Sequence, residues 1–297
     1  MLPKISGIID KWMGIPLKSG MLFWTGGCLA YICKIDELSL FWKQINSVST
    51  EQKTIVILAF LMILAISEGI IRRFDTFVLR VLEGYHWPRI IRRRRVNYIN
   101  KMILEKEKRF QILANNPSRD GQERYEFVKL DRLLMYTPKE ELRLPTRLGN
   151  FLRAVELRPY DKYGLDVFVC WPHLWMLLPD HVRKEISEAR ENLDAAVHIW
   201  MWGFLFIIWT VWAWWAIPAA ILIIYFAYRW IWQCVKLYAQ LVETAFDLHR
   251  NLLYKELRLS LPANPAEEIK QGKLLTEYLW RGSDEQTPVF TEPVKDD

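Results

Sequence analysis

Forty consecutive residues, Ala196 to Val235, read "AVHIWMWGFLFIIWTVWAWWAIPAAILIIYFAYRWIWQCV" and contain one cation, Arg229, and no acid. As one helix the segment would reach roughly 60 Å, about twice the ~30 Å core of a bilayer. Pro218, near its middle, has no amide hydrogen and clashes with the preceding turn, so a break is expected there. Two membrane spans joined by a tight turn follow. Their tryptophans would then form two belts, with Trp200, Trp202, Trp230 and Trp232 at one interface and Trp214 and Trp215 at the other. Amphipathic indole rings favour that depth.

A second run, "TIVILAFLMILAISEGII" from Thr54 to Ile71, carries a single charge, Glu68. Its 18 residues reach about 27 Å, enough to cross. The stretch from Leu17 to Ile35 is interrupted by glycines and Lys18 but is still apolar enough to be expected as a span. Gly26 and Ala30, four apart, would let another helix approach closely. The expected fold class is therefore an all-α membrane protein with four transmembrane helices in two hairpins, and a helical cytoplasmic domain between and after them. The boundaries expected are an N-terminal transmembrane hairpin at 1–71, a cytoplasmic helical region at 72–195, a second hairpin at 196–235, cytoplasmic helices at 236–282 and a disordered tail at 283–297. The N-terminus lacks a compact signal-peptide core and is expected to be retained.

Charge sets the orientation. Between positions 72 and 95 stand eight arginines against Asp75 and Glu83, a local excess equal to the formal net charge of the whole chain, +6. Arginines beside a span hold that end in the cytoplasm, which places both termini and 72–195 inside a bacterial inner membrane, with Asp36 to Lys53 outside. Arg72, Arg73, Arg89, Arg92, Arg93, Arg94 and Arg95 are expected to contact anionic lipid headgroups, each contributing on the order of 1 kcal/mol. Arg229, among tryptophans, would snorkel to the same interface. No aromatic-interleaved platform accompanies the arginines, so nucleic acid is not the expected partner.

The charged blocks read as amphipathic helices. The second span is expected to continue as helix to "LEGYHWP", where Gly84 and Pro88 interrupt it. "RIIRRRRVNYINKMILEKEKRFQIL" follows, with Ile91, Tyr98, Met102 and Ile103 roughly on one side, up to the loop "NNPSRDG". Thr146 can cap "RLGNFLRAVEL" and Asp180 can cap "HVRKEISEARENLDAAV". After the last span, Leu237, Leu241, Leu248 and Leu252 suggest an apolar stripe. Between two charged blocks lies "YGLDVFVCWPHLWMLLPD", Tyr163 to Asp180, too short to cross a bilayer. It fits either the buried core of the cytoplasmic domain or an interfacial helix with Trp171 and Trp175 at headgroup depth. Pro172 would suit that helix's first turn.

Four phrases, "LEGYHWP" (82–88), "LPTRLGN" (144–150), "YGLDVFVCWPHLW" (163–175) and "LPANPAEE…LLTEYLWRG" (261–282), resemble a group of uncharacterised bacterial inner-membrane proteins. The resemblance implies a polytopic membrane topology and brings no catalytic or binding residue with it.

Chemistry-bearing motifs are missing. No phosphate-binding glycine loop, HExxH, GxSxG, GxGxxG or EF-hand loop occurs. The five histidines never take metal-ligand spacing, and the four cysteines, Cys28, Cys33, Cys170 and Cys234, form no CxxC pair. Asp166, Cys170 and His173 are neighbours in an apolar segment, whereas catalytic triads assemble across a fold. No enzyme activity, metal or cofactor is expected. Glu68 is the one carboxylate within a span. It either pairs with Arg72, four residues on, or lines a pore in a homo-oligomer, where a ring of carboxylates would favour cations. The expected function is a homo-oligomeric channel or pore gated by its cytoplasmic helices. The alternatives are a non-conducting scaffold or sensor that recruits a soluble cytoplasmic protein, and a membrane-disrupting stress or phage-defence effector.

Overall fold

A computed structural model describes residues 15–34, 49–282 and 289–290, with the side chains of 15–18 and 33–34 left undescribed. The expected outer loop as far as residue 48 and the C-terminal tail, Val289 and Phe290 apart, lie outside these residues. Among the described residues the chain is all-helical, with no strand and one isolated antiparallel bridge between Leu259 and Phe290. The helices are α1 (Ile15–Lys34), α2 (Thr50–Arg72), α3 (Asp75–Glu83), α4 (Arg89–Ala114), α5 (Gly121–Met135), α6 (Arg147–Tyr163), α7 (Val167–Leu177), α8 (Asp180–Leu205), α9 (Ala216–His249), α10 (Asn251–Glu256) and α11 (Pro265–Arg281). Three stretches are long and apolar enough to cross a membrane: Thr50–Arg72, Asp180–Val211 and Ala216–His249. The chain divides into two bodies, one of residues 1–79 and 190–234, the other of 80–189 and 235–297.

In the first body, α2 opens on a capping box. Ser49 Oγ accepts from the Gln52 amide at 3.3 Å and the Gln52 side chain accepts from the Ser49 amide at 3.2 Å. Most of α2 is exposed apolar surface, as a lipid-facing helix requires. Its buried residues are Leu64, Glu68 and Ile71, spaced by one helical turn, so a single stripe carries Glu68 inward, while Glu51 stands exposed in the first turn. α1 fits against the aromatic stretch after α8 through its glycines. A methyl group on Gly26 would stand 2.5 Å from the Phe206 ring, and one on Gly27 would stand 2.4 Å from Trp209. Trp24 also donates to Ser67 Oγ at 3.2 Å, tying α1 to α2.

The break in the long apolar segment falls ahead of Pro218. α8 ends at Leu205, Phe206–Val211 tightens into a 3-10 helix, and α9 begins at Ala216 with Pro218 as its third residue. There the missing amide hydrogen would have had no helical partner in any case, so the proline starts a helix and does not split one. Likewise α2 stops at Arg72, and α3 restarts at Asp75, before the glycine–proline pair is reached.

The second body is built on close helix contacts. α4 and α5 are joined by a two-pronged Arg109–Glu126 pair, at 2.8 and 3.2 Å, and by stacked Phe110 and Phe127 rings 4.8 Å apart. Thr146 caps α6 as expected, accepting from the Gly149 amide at 2.9 Å, and its hydroxyl also donates to the Glu83 carbonyl at 2.8 Å. Asn150 clamps Leu144 from both sides: its oxygen accepts from the Leu144 amide and its nitrogen donates to the Leu144 carbonyl, each at 2.7 Å. α6 ends at Gly164 in the left-handed conformation, φ 72°, where other residues would be strained. α7 then begins at Val167, capped by Asp166 rather than opened by Pro172, which lies in its interior.

α7 and the turn before it supply one wall of the core, with Leu165, Cys170 and Leu174 fully buried against Phe246, Leu253, Tyr254 and Leu275. Thr276 crosses the junction, donating to the Gly164 carbonyl at 3.0 Å and accepting from the Asp166 amide at 3.1 Å. The buried side of α9 in this region carries Val235, Ala239, Val242, Ala245 and Phe246. Leu237 and Leu248, expected in the apolar stripe, are exposed, because the closer approach runs along the smaller residues.

Candidate functional site

In the first body a group of ionisable side chains forms where α2, α3 and α8 meet. Glu68, on the inward stripe of α2, is 8% exposed, and His198, on α8, is 2% exposed. His198 Nε2 stands 2.7 Å from Glu68 Oε1, and His198 Nδ1 stands 3.0 Å from Asp75 Oδ1. The imidazole therefore bridges two carboxylates from two other helices. Trp202, one turn along α8, donates its indole N–H to the same Nε2 at 3.1 Å. Neither Glu68 oxygen has a well-directed hydrogen bond among the described residues, although Oε1 lies within hydrogen-bonding distance of Nε2.

The surroundings close the site. Gly20 of α1 lies against it: a methyl group there would meet Glu68 Oε2 at 3.1 Å and the Trp202 ring at 3.3 Å. Phe23, one turn on, packs on Trp202 with ring centroids 4.7 Å apart. Arg72 reaches Glu68 only at 4.0 Å and is itself largely exposed, so the helix-surface pair expected from the sequence is the weaker contact. Asp194 and Arg190, one and two turns before His198, pair with each other at 3.1 Å. A buried carboxylate is costly unless paired or protonated, and His198 is the group placed to meet that cost for both Glu68 and Asp75. No group of three or more histidine, cysteine or acidic residues among the described ones has metal-ligand geometry.

The other predicted residues are spread over both bodies. Arg72, Arg73, Arg89, Arg93, Arg94, Arg95 and Arg229 are exposed and Arg92 is half-buried. Arg229 donates to the Tyr225 hydroxyl at 3.4 Å. Trp214 is exposed, while Trp200, Trp215, Trp230 and Trp232 are half-buried. Trp202, grouped with the aromatic belts by sequence, is instead buried with its indole nitrogen on His198. Trp171 and Trp175 are half-buried against the core of the second body, with Trp171 5.7 Å from the Phe246 ring. Cys170 is sealed beneath them, and burial pushes its thiol up to about 11. A thiol so raised is little ionised near neutral pH, which makes it a poor nucleophile.

Sequence reading passed over Asp75 and His198. Glu68 and Asp75 are seven residues apart, two helical turns, which puts two acids on one side of the α2–α3 segment. That spacing was the available signal.

Together the fold and this cluster define a helical, membrane-embedded class of protein with an acid–imidazole–acid chain inside its bundle. No protein-family model matches the chain, and neither a curated protein nor a solved structure is significantly similar to it.

Proposed function

We propose that the protein is a four-span membrane protein that conducts protons or small cations, with Glu68, His198 and Asp75 as its internal polar relay. The chain of three ionisable side chains, Glu68 and His198 buried and Asp75 half-buried, supports this reading. Ionisable groups within spans are expensive and rare, and consecutive acids and histidines in hydrogen-bonding reach are the arrangement by which protons pass through a bundle. α1 is the fourth span, both termini face the cytoplasm of a bacterial inner membrane, and homo-oligomers are its working form. In this form Glu68 acts within each subunit, toward His198, rather than in a shared ring.

Purified protein in liposomes with an imposed pH or potassium gradient tests the reading. The parent should dissipate the gradient, and Glu68→Gln and His198→Gln should each slow the flux at least about tenfold, a barrier change of ~1.4 kcal/mol. Both variants should elute from size exclusion like the parent. Flux unchanged by both substitutions removes the relay. No flux of any cation from the parent gives the lead to a non-conducting scaffold that recruits a soluble partner. The second body, with its own packed core, favours that second reading.

A further inference from the structure

The solvent side of α4 is both basic and apolar. At 3.6 residues per turn, Ile90, Arg94, Lys101, Leu104, Lys108 and Ile112 fall within an arc of about 80°. All six are exposed, Ile90 by 71% and Ile112 by 61%. Ile91, Arg93 and Tyr98 flank the arc and are exposed too. One acid, Glu105, stands beside the arc, about 20° beyond its edge. The opposite side carries Ile99, Ile103 and Leu113, the buried residues through which α4 holds to its own body. Among the described residues, none of Arg93, Arg94, Lys101 and Lys108 makes an ion pair within its own body.

A face of this kind suits neither water nor the bilayer core. Large apolar side chains along some 30 Å of helix lose free energy in water, and four cations forbid deep burial. The headgroup layer accommodates both, because lysine and arginine stems lie along apolar surface while their charges rise to phosphates. The excess of cations selects an anionic surface. α2, a helix long enough to cross, ends at Arg72, only seventeen positions before α4 begins, so a bilayer is within reach of the connecting chain.

We propose that α4 lies in the headgroup layer of an anionic phospholipid bilayer, with Ile90, Leu104 and Ile112 toward the acyl chains and Arg93, Arg94, Lys101 and Lys108 on the phosphates. The inference is independent of the relay. It extends contact from the arginine cluster to the whole length of one helix.

The full chain in nanodiscs tests it. A fluorophore is placed on Leu104→Cys or Ile112→Cys in a background with Cys28, Cys33, Cys170 and Cys234 replaced by alanine. Quenching is read with nitroxide carried just below the lipid headgroup. With phosphatidylglycerol in the disc, both positions should be quenched several-fold more than in pure phosphatidylcholine. The excess should vanish when Arg93, Arg94, Lys101 and Lys108 are changed to glutamine, and should shrink for the unsubstituted helix as salt is raised. Absence of quenching in either lipid, equal quenching in both, or shielding of the label by added RNA or acidic protein overturns the proposal.

Discussion

Gly272→Ala should loosen the second body although it replaces a poor helix former with the best one. In an open helix the change would stabilise by about 1 kcal/mol. Here a methyl group on Gly272 would lie 1.8 Å from the Tyr163 carbonyl oxygen and 2.9 Å from its carbon. Both neighbours are backbone, at the end of α6, and neither can rotate aside. Restoring an ordinary contact of roughly 3.4 Å would move α11 away from α6 by more than 1 Å, across a junction that Thr276 holds with two hydrogen bonds. Overpacking costs typically ~1–3 kcal/mol and more when backbone must shift, so a net loss of about 2–4 kcal/mol is expected. Cys170 reports it, being fully buried and 3.7 Å from Thr276 Oγ1. In protein whose other cysteines are alanine, labelling of Cys170 by a maleimide requires local opening, and the rate should rise about 30- to 1,000-fold. Gly121→Ala is the control, since nothing lies within 4 Å of the added methyl, and its labelling rate should stay close to the parent's. If Gly272→Ala labels no faster than Gly121→Ala, close packing of α11 on α6 does not hold this body together.

Asn150→Ala leaves both backbone groups of Leu144 without their buried partners, which costs on the order of 2–4 kcal/mol; hydrogen exchange at the Leu144 amide should accelerate by at least tenfold, and unchanged exchange would contradict the clamp. Alkaline pH should destabilise the second body through Cys170, whose thiol is raised by burial from 9.0 to about 11. The folded state favours the neutral thiol, so this stability is intact below pH 9 and is lost as pH rises to about 11, at most on the order of 3 kcal/mol. Thermal unfolding of the second body followed between those values should fall less steeply in Cys170→Ala than in the parent.

How much of this could be read from the sequence depended on whether the signal was local. Apolar length identified Thr50–Arg72 and the long segment around Ala196–Val235 because a bilayer imposes a thickness on any helix that crosses it. The Thr146 cap was legible for the same reason, since it acts within one turn of its own helix, whereas Asp180, also expected as a cap, is instead the first residue of α8, with Arg183 N–H bonded to the Pro179 carbonyl. Less visible was what the quoted phrases do to one another. "LEGYHWP" meets "LPTRLGN" through the Glu83 carbonyl, and "YGLDVFVCWPHLW" meets the C-terminal phrase through Gly164, Gly272 and Thr276. These are contacts of 63 to 112 positions' separation, which no window reveals. The leucine stripe on α9 misled because size was taken as a sign of burial. In a tight contact the small residues Ala239 and Ala245 go inside.

The site was half legible. A carboxylate in a span announces itself; its partner, 130 residues away, does not. What the structure adds is a conflict at one atom. Nε2 of His198 faces both an acid and an N–H donor, and no single state of the ring serves both. With the proton on Nδ1 only, Nε2 accepts from Trp202, and Glu68 is left beside a lone pair, a position that a carboxylic acid suits and a carboxylate does not. With both nitrogens protonated, the imidazolium donates toward both Glu68 and Asp75 but offsets only one of their two charges, and the indole N–H loses its acceptor. The two arrangements differ by the transfer of one proton between Glu68 and His198, and in the second the indole N–H is left without its acceptor. The relay proposed above requires that proton to be trapped on neither side. In the proposed relay that transfer is the working step, whereas a cluster that only holds helices together would not need it.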